Sequence, residues 1–108
     1  MSRSLLFAKA ISDDTRQSIM KILCCEWLTV NDVVEQLGGS VTQPTVSHHL
    51  KILNDAGLLH RRKEGRQVIC TLNQEMVNLC CGELLVTFAP ELVTADNNTI
   101  PLTEIATT

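Results

Sequence analysis

Thr42-Gln43-Pro44-Thr45-Val46-Ser47-His48-His49-Leu50-Lys51-Ile52-Leu53 is the stretch of this 108-residue chain on which its fold turns. Thr42 stands where a helix N-cap is expected, and Pro44 falls in the first turn, where a missing N–H leaves no bond unmade. Val46, Leu50 and Leu53 recur at i, i+4 and i+7 and form one narrow apolar stripe. Gly57 then stops the helix. Outside the stripe lie Gln43, Thr45, Ser47 and His48, with His49 and Lys51 beside them. These are mostly uncharged hydrogen-bonding groups gathered at a helix N-terminus, which is the part of a recognition helix that reads base edges in the major groove. Gln can pair bidentately with adenine, Thr and Ser can meet bases or phosphates, and Lys51 suits a phosphate. For His48 and His49 the plain alternative is polar surface, and two adjacent histidines on one helix do not easily share a metal ion.

Upstream, Leu5, Leu6, Phe7, Ala8 and Ile11 predict a short first helix. Asp13 is a plausible N-cap for a second, in which Ile19, Met20, Ile22 and Leu23 keep helical spacing to about Cys25. Thr29 can cap a third helix with Asp32 at its favourable end, Val30, Val33, Val34 and Leu37 inward, and Gly38-Gly39 closing it. Downstream, Leu58–Arg62 and Gln67–Leu72 predict two strands joined by a turn at Lys63-Glu64-Gly65-Arg66. Asn73 can cap a last helix, where Met76, Val77, Cys80, Cys81, Leu84, Leu85 and Phe88 build a broad apolar face before Pro90. Residues 1–90 are thus expected to form one domain, and the Thr-rich residues 91–108 a flexible tail.

The formal net charge of -3 conceals a polarised chain. Between residues 41 and 72 stand Lys51, Arg61, Arg62, Lys63 and Arg66 against only Asp55 and Glu64. After residue 72 the charges are all acidic: Glu75, Glu83, Glu91, Asp96 and Glu104. A basic face suited to a polyanion is therefore compatible with an acidic protein. No apolar run approaches the ~20 residues that span a bilayer, and the N-terminus lacks a secretory signal's long apolar core. A cytoplasmic protein without a membrane partner is expected.

Five Cys occur, and four of them form two vicinal pairs, Cys24-Cys25 and Cys80-Cys81. In a reducing compartment such thiols are soft ligands for thiophilic ions. Packing competes with that reading, because free Cys is also a small buried hydrophobe. Cys80 shares the Met76–Leu84 stripe, Cys81 the Val77–Leu85 stripe, and Cys70 alternates with Val68 and Leu72, so core packing is the better expectation for Cys70. Adjacent Cys on one helix point about 100° apart, so a three-thiolate site at Cys80-Cys81 needs a third sulfur from elsewhere. Cys24 or Cys25 is the preferred donor, with Cys70 behind. There is no Cys-x-x-Cys and no nucleophile set beside a base, so an enzyme is not expected.

The run 42–53, followed by Ala56-Gly57-Leu58-Leu59 and Glu64-Gly65-Arg66, resembles the ArsR/SmtB family of bacterial repressors. Asp14-Thr15-Arg16 and Ile22-Leu23 fit that family's second helix, and the resemblance covers about residues 3–88. It implies a winged helix-turn-helix, mainly α with a β-hairpin wing, dimerising through its first and last helices. It further implies a homodimeric repressor that binds an inverted repeat in double-stranded operator DNA and leaves it when an inducer binds. Gln43, Thr45, Ser47, His48 and His49 would then lie toward the bases, and Lys51, Arg61, Arg62, Lys63 and Arg66 would hold phosphates. The chain departs from the family's metal patterns. Thr29, Val30 and Asn31 stand where the arsenic type has Cys-x-Cys, and Gln74, Glu75 and Met76 stand in the region of the zinc type's last-helix ligands. A thiol-only sensor is what remains, with Cys80, Cys81, Cys24 and Cys25 as ligands, As(III) as the expected inducer, Cd(II) or Pb(II) as further candidates, and no required cofactor. The competing expectations are a redox or persulfide sensor acting through disulfide formation, and a ligand-independent DNA-binding or interaction module.

Overall fold

The computed structural model describes residues 2–92. The described chain runs α1 (Arg3–Ala10), α2 (Asp14–Ile22), α3 (Val30–Gln36), α4 (Gln43–Asp55), β1 (Leu59–Glu64), β2 (Gln67–Leu72), α5 (Gln74–Phe88) and a 3-10 turn at Pro90–Leu92. Each helix start has a local cause. Ser2, Asp13 and Asn73 accept backbone N–H groups of the first turns of α1, α2 and α5. Thr29 and Asp32 form a reciprocal capping box at α3, at 3.0 and 3.1 Å, which satisfies two otherwise orphaned N–H groups. Thr42 does cap α4, but its hydroxyl donates to Thr45 Oγ1 at 3.0 Å rather than accepting a backbone N–H.

The core gathers the stripes that periodicity picked out. Ile19 and Leu23 from the α2 segment, Val33 from α3, and Val46 and Leu53 from α4 have no exposed surface, and Leu58 is sealed beneath them. Phe7 and Ala10 of α1 join Cys80 of α5 at one end of this core. The antiparallel hairpin pairs Leu59 with Leu72 and Glu64 with Gln67.

Two expectations change. The second helix ends at Ile22, short of Cys25, because the Leu23 carbonyl accepts the Leu72 N–H at 2.9 Å and the Thr71 hydroxyl at 3.0 Å. The chain then turns extended, and Leu28 forms an isolated bridge with Cys70. The first strand begins at Leu59 and continues through Lys63 and Glu64, which pair with Val68 and Gln67. Only Gly65-Arg66 is left for the turn, with Gly65 at φ 63°, a conformation that glycine adopts without strain. Leu5 and Leu6 of α1 and Leu79, Val86 and Phe88 of α5 stay exposed, on the two helices expected to dimerise. The expected tail 91–108 lies outside the described residues except for Glu91 and Leu92.

Asp13 supplies a pH test. The backbone N–H of Arg16 bonds its carboxylate and holds it below the usual aspartate range. A depressed folded-state value means that this stabilisation is present above the unfolded value and is lost as pH falls through the folded one. Asp13→Asn keeps a capping oxygen but not the charge. Wild type should therefore melt higher than the variant at neutral pH, with the gap closing on acidification below the aspartate range. Melting curves followed by circular dichroism across pH check this.

Candidate nucleic-acid interface

Val46, Leu50 and Leu53 of α4 are buried and Ile52 packs against the core beside them, which leaves the polar side of the helix facing outward. Gln43, Thr45, Ser47 and His48 are all exposed, on the first half of the helix. His49 stands apart from them. It is half-buried, and its Nδ1 lies 3.0 Å from Arg16 Nη1. A guanidinium can only donate, so Nδ1 accepts and the ring proton sits on Nε2. Arg16 also donates from Nε to the Ala10 carbonyl at 2.6 Å. One arginine thus ties the end of α1 to the middle of α4. Sequence reasoning grouped His49 with the outward set because it adjoins His48, and it singled out no role for Arg16.

The exposed Lys51 pairs with Asp55 at 3.0 Å, an i, i+4 contact on open surface. Such pairs are worth ~0.5 kcal/mol and yield readily to a phosphate. Ser47 and Lys51 border a groove of about 410 Å³ between α4 and the hairpin, whose other wall includes Arg61, Val68 and Cys70.

Strand register sorts the basic cluster of the hairpin. Arg61 lies opposite Cys70 and Lys63 opposite Val68, whereas Arg62 lies opposite Ile69. Successive side chains alternate, so Arg61 and Lys63 share the face that borders the α4 groove and Arg62 takes the other. There the Arg62 guanidinium stacks 4.3 Å from the Trp27 ring centroid, with Nε 3.3 Å from Glu64 Oε2. Arg66 sits in the exposed turn, and neither it nor Lys63 makes an ion pair among the described residues. Trp27 has no sequence signal linking it to the hairpin, because its partner is 35 positions away.

The thiols occupy unlike settings. Cys24 and Cys25 lie past the end of α2 with their sulfurs 3.7 Å apart. Cys25 is exposed, and Cys24 is half-buried and receives the Gln74 side-chain amide at 3.1 Å. The hydrogen bond to Cys24, and then the neighbouring charge, push the Cys25 thiol up. Cys80 is fully buried with Sγ 3.9 Å from the Arg3 carbonyl, whereas Cys81 on the same helix faces out. Cys70 is buried, its Sγ 3.7 Å from the Leu28 carbonyl. Burial pushes the thiols of both Cys70 and Cys80 up, the same direction as Cys25, so it is their lack of access to solvent that sets these two apart. Within one chain, Cys24 and Cys25 come together. No group of three or more Cys, His, Asp or Glu able to hold a metal ion forms among the described residues.

Comparisons with known proteins agree with this geometry. Residues 13–61 match the family model described as bacterial regulatory protein, arsR family. The chain is 41% identical over 80 residues to an arsenical resistance operon repressor of Bacillus subtilis, covering 68% of this chain and 74% of that protein. It is 43% identical over 70 residues to a cadmium resistance transcriptional regulatory protein homologue of Staphylococcus aureus, covering 64% of this chain but only 56% of that one. A similar match to the arsenical resistance operon repressor of Staphylococcus xylosus, 37% identical over 70 residues, covers 65% of each chain, so the chain spans less than two thirds of both staphylococcal proteins. Among solved structures, an ArsR-like transcriptional regulator from Rhodococcus superposes with a TM-score of 0.72 at 22% identity, over 82% of this chain and 81% of that one. A homodimeric winged helix-turn-helix DNA-binding domain from Mycobacterium bovis superposes with a TM-score of 0.64 at 20% identity, over 91% and 88%. The fold is a winged helix-turn-helix, with α3 and α4 as the paired helices and β1–β2 as the wing.

The Arg16–His49 contact predicts that His49→Ala removes about 1.5–3 kcal/mol of stability, the range for a hydrogen bond to a charged group. Urea denaturation of the variant reads the loss.

Proposed function

This chain belongs to the arsR family of bacterial regulatory proteins, and on that premise we propose that it is a cytoplasmic, homodimeric transcriptional repressor released from operator DNA when cysteine thiols capture a thiophilic inducer. What carries the DNA half of this reading is the exposed quartet Gln43, Thr45, Ser47 and His48 on α4, with the groove and the cations of the wing alongside. Gln43 and Thr45 lead into the major groove, and Lys51, Arg61, Lys63 and Arg66 hold the phosphates that flank it. His49 holds the helix from behind, and Arg62 supports the wing through Trp27.

The dimer half is supported by the exposed Leu5, Leu6, Leu79, Val86 and Phe88 on the two helices that pack together at one end. Phe88 is 79% exposed, a poor arrangement for a lone domain and a natural one for a helix that a second copy covers. Two-fold symmetry then sets two α4 helices about one DNA turn, ~34 Å, apart.

Trivalent arsenic is the inducer favoured by four thiols in vicinal pairs and by the arsenical resistance repressors among the relatives. Cadmium follows, from the same soft ligands and from the staphylococcal cadmium regulator. The deciding experiment is operator binding by fluorescence anisotropy, with DNA from the chain's own promoter region, titrated with arsenite, cadmium, zinc and an oxidant. Release by arsenite is the expected result. Release by the oxidant alone overturns the inducer and favours a disulfide switch, and operator binding that ignores every addition leaves a ligand-independent module.

Two substitutions separate the roles on the interface. Gln43→Ala should reduce discrimination against a changed base by about 1–3 kcal/mol with little change in salt dependence. Lys63→Ala should weaken all DNA sequences alike and lower the salt slope by about one. Anisotropy titrations at several salt concentrations measure both.

A further inference from the structure

The proposed function leaves four thiols undivided, but only one pair has its two sulfurs already in contact, with neither of them fully buried. Cys80 has no exposed surface, and Cys81 points away from it into solvent, as adjacent residues of a helix must. Cys24 and Cys25 lie outside any helix, and their sulfurs converge to 3.7 Å. Trivalent arsenic is pyramidal, so two sulfurs each ~2.3 Å from it at bond angles of ~95° stand ~3.4 Å apart, and the pair at 3.7 Å needs only a small side-chain rotation to close on it.

The loop that carries them is fastened at both ends to the wing. Before it, the Leu23 carbonyl accepts the Leu72 N–H and the Thr71 hydroxyl of β2. After it, Leu28 and Cys70 of β2 exchange two backbone hydrogen bonds, both 2.9 Å. Between these fastenings lie just Cys24, Cys25, Glu26 and Trp27, and Trp27 stacks on Arg62 of β1 at 4.3 Å. The Gln74 amide on the first residue of α5 touches the Cys24 sulfur at 3.1 Å. No helix intervenes between the thiols and the hairpin.

We propose that Cys24 and Cys25 form a two-sulfur capture site for trivalent arsenicals, and that capture acts directly on the wing through Trp27 and Arg62. This rests on the reading of the chain as an inducer-released DNA-binding protein. Arsenous acid loses two hydroxyls and the two thiols lose their protons. Two As–S bonds replace two As–O bonds, two waters leave, and no oxidation state changes. Closing the resulting ring fixes the backbone at Cys24 and Cys25. With both ends of the loop held by β2, the strain falls on Glu26 and Trp27. Trp27 moves off Arg62, and the wing loses the contact that holds β1 on that side. Capture weakens DNA binding to the extent that the arsenical prefers this displaced wing.

Trp27 is the single tryptophan, so its fluorescence reports the site directly. The test titrates the full chain with phenylarsine oxide, which takes two thiols and releases one water, and with arsenite. It follows Trp27 emission, intact mass and operator anisotropy. One arsenical per chain is expected to bind wild type and Cys80→Ser/Cys81→Ser alike, with a parallel change in emission and a ~10-fold loss of operator affinity. Both responses should vanish in Cys24→Ser/Cys25→Ser, whose unchanged operator affinity without arsenical verifies its fold. Trp27→Phe should take up the arsenical with the same stoichiometry, but with a weaker stack on Arg62 it should bind the operator less tightly than wild type beforehand and lose less affinity on capture. If Cys24→Ser/Cys25→Ser is still released by arsenicals, the site is overturned while the repressor reading stands. Trp27→Phe released as fully as wild type overturns the route through the wing. Wild type that takes the arsenical at Cys24 and Cys25 but never leaves DNA overturns arsenical induction while leaving the capture site in place.

Discussion

The carbonyl of Leu23 joins the two halves of this molecule. It lies at the end of α2, on a residue buried in the helical core, yet it accepts hydrogen bonds from Leu72 and Thr71 of β2. A buried carbonyl left without a donor is costly, so this pairing decides where α2 stops. It also decides where the hairpin stands relative to α4. The groove between α4 and the wing, the extended Leu28 and the exposed loop at Cys24-Cys25 all follow from it. Had α2 continued to Cys25, the thiols would lie on a helix and diverge, and β2 would lose its anchor.

The outward surface of α4 depends on a second economy of packing. The α4 stripe is narrow, with Val46, Leu50 and Leu53 buried, so most of the helix circumference is free for polar groups. A broader stripe would seat the helix more firmly but would bury Ser47 or Lys51. Firmness comes instead from the side, through Arg16, which binds the Ala10 carbonyl and His49 together. Arg62 does the comparable work for the wing by stacking on Trp27. In both places one member of a basic or histidine cluster is taken up by the scaffold while its neighbours stay exposed.

Thiols in this chain separate by burial. Cys70 and Cys80 fill space in the sheet and under α1, and their surroundings disfavour the charged thiolate. Cys25 and Cys81 reach solvent. The vicinal pairs that look alike in sequence therefore differ. One straddles a helix, with one sulfur inside and one outside, and the other lies in a loop with its sulfurs in contact.

The helices, their caps and the hairpin were legible in the sequence because each rests on local rules: 3.6-residue periodicity, capping side chains, and the alternation of Gln67–Leu72. The outward quartet on α4 was legible for the same reason, since position on one helix fixes which residues share a face. The end of α2, the inward turn of His49, the stacking of Arg62 on Trp27, and the meeting of Cys24 with Gln74 were not. Each depends on a partner between 33 and 50 positions away, through Leu72, Arg16, Trp27 and Gln74. Local propensity determines which elements form and which faces they offer. Long-range hydrogen bonds, which no spacing along the chain encodes, decide where those elements stop and which of the offered side chains are left free to act.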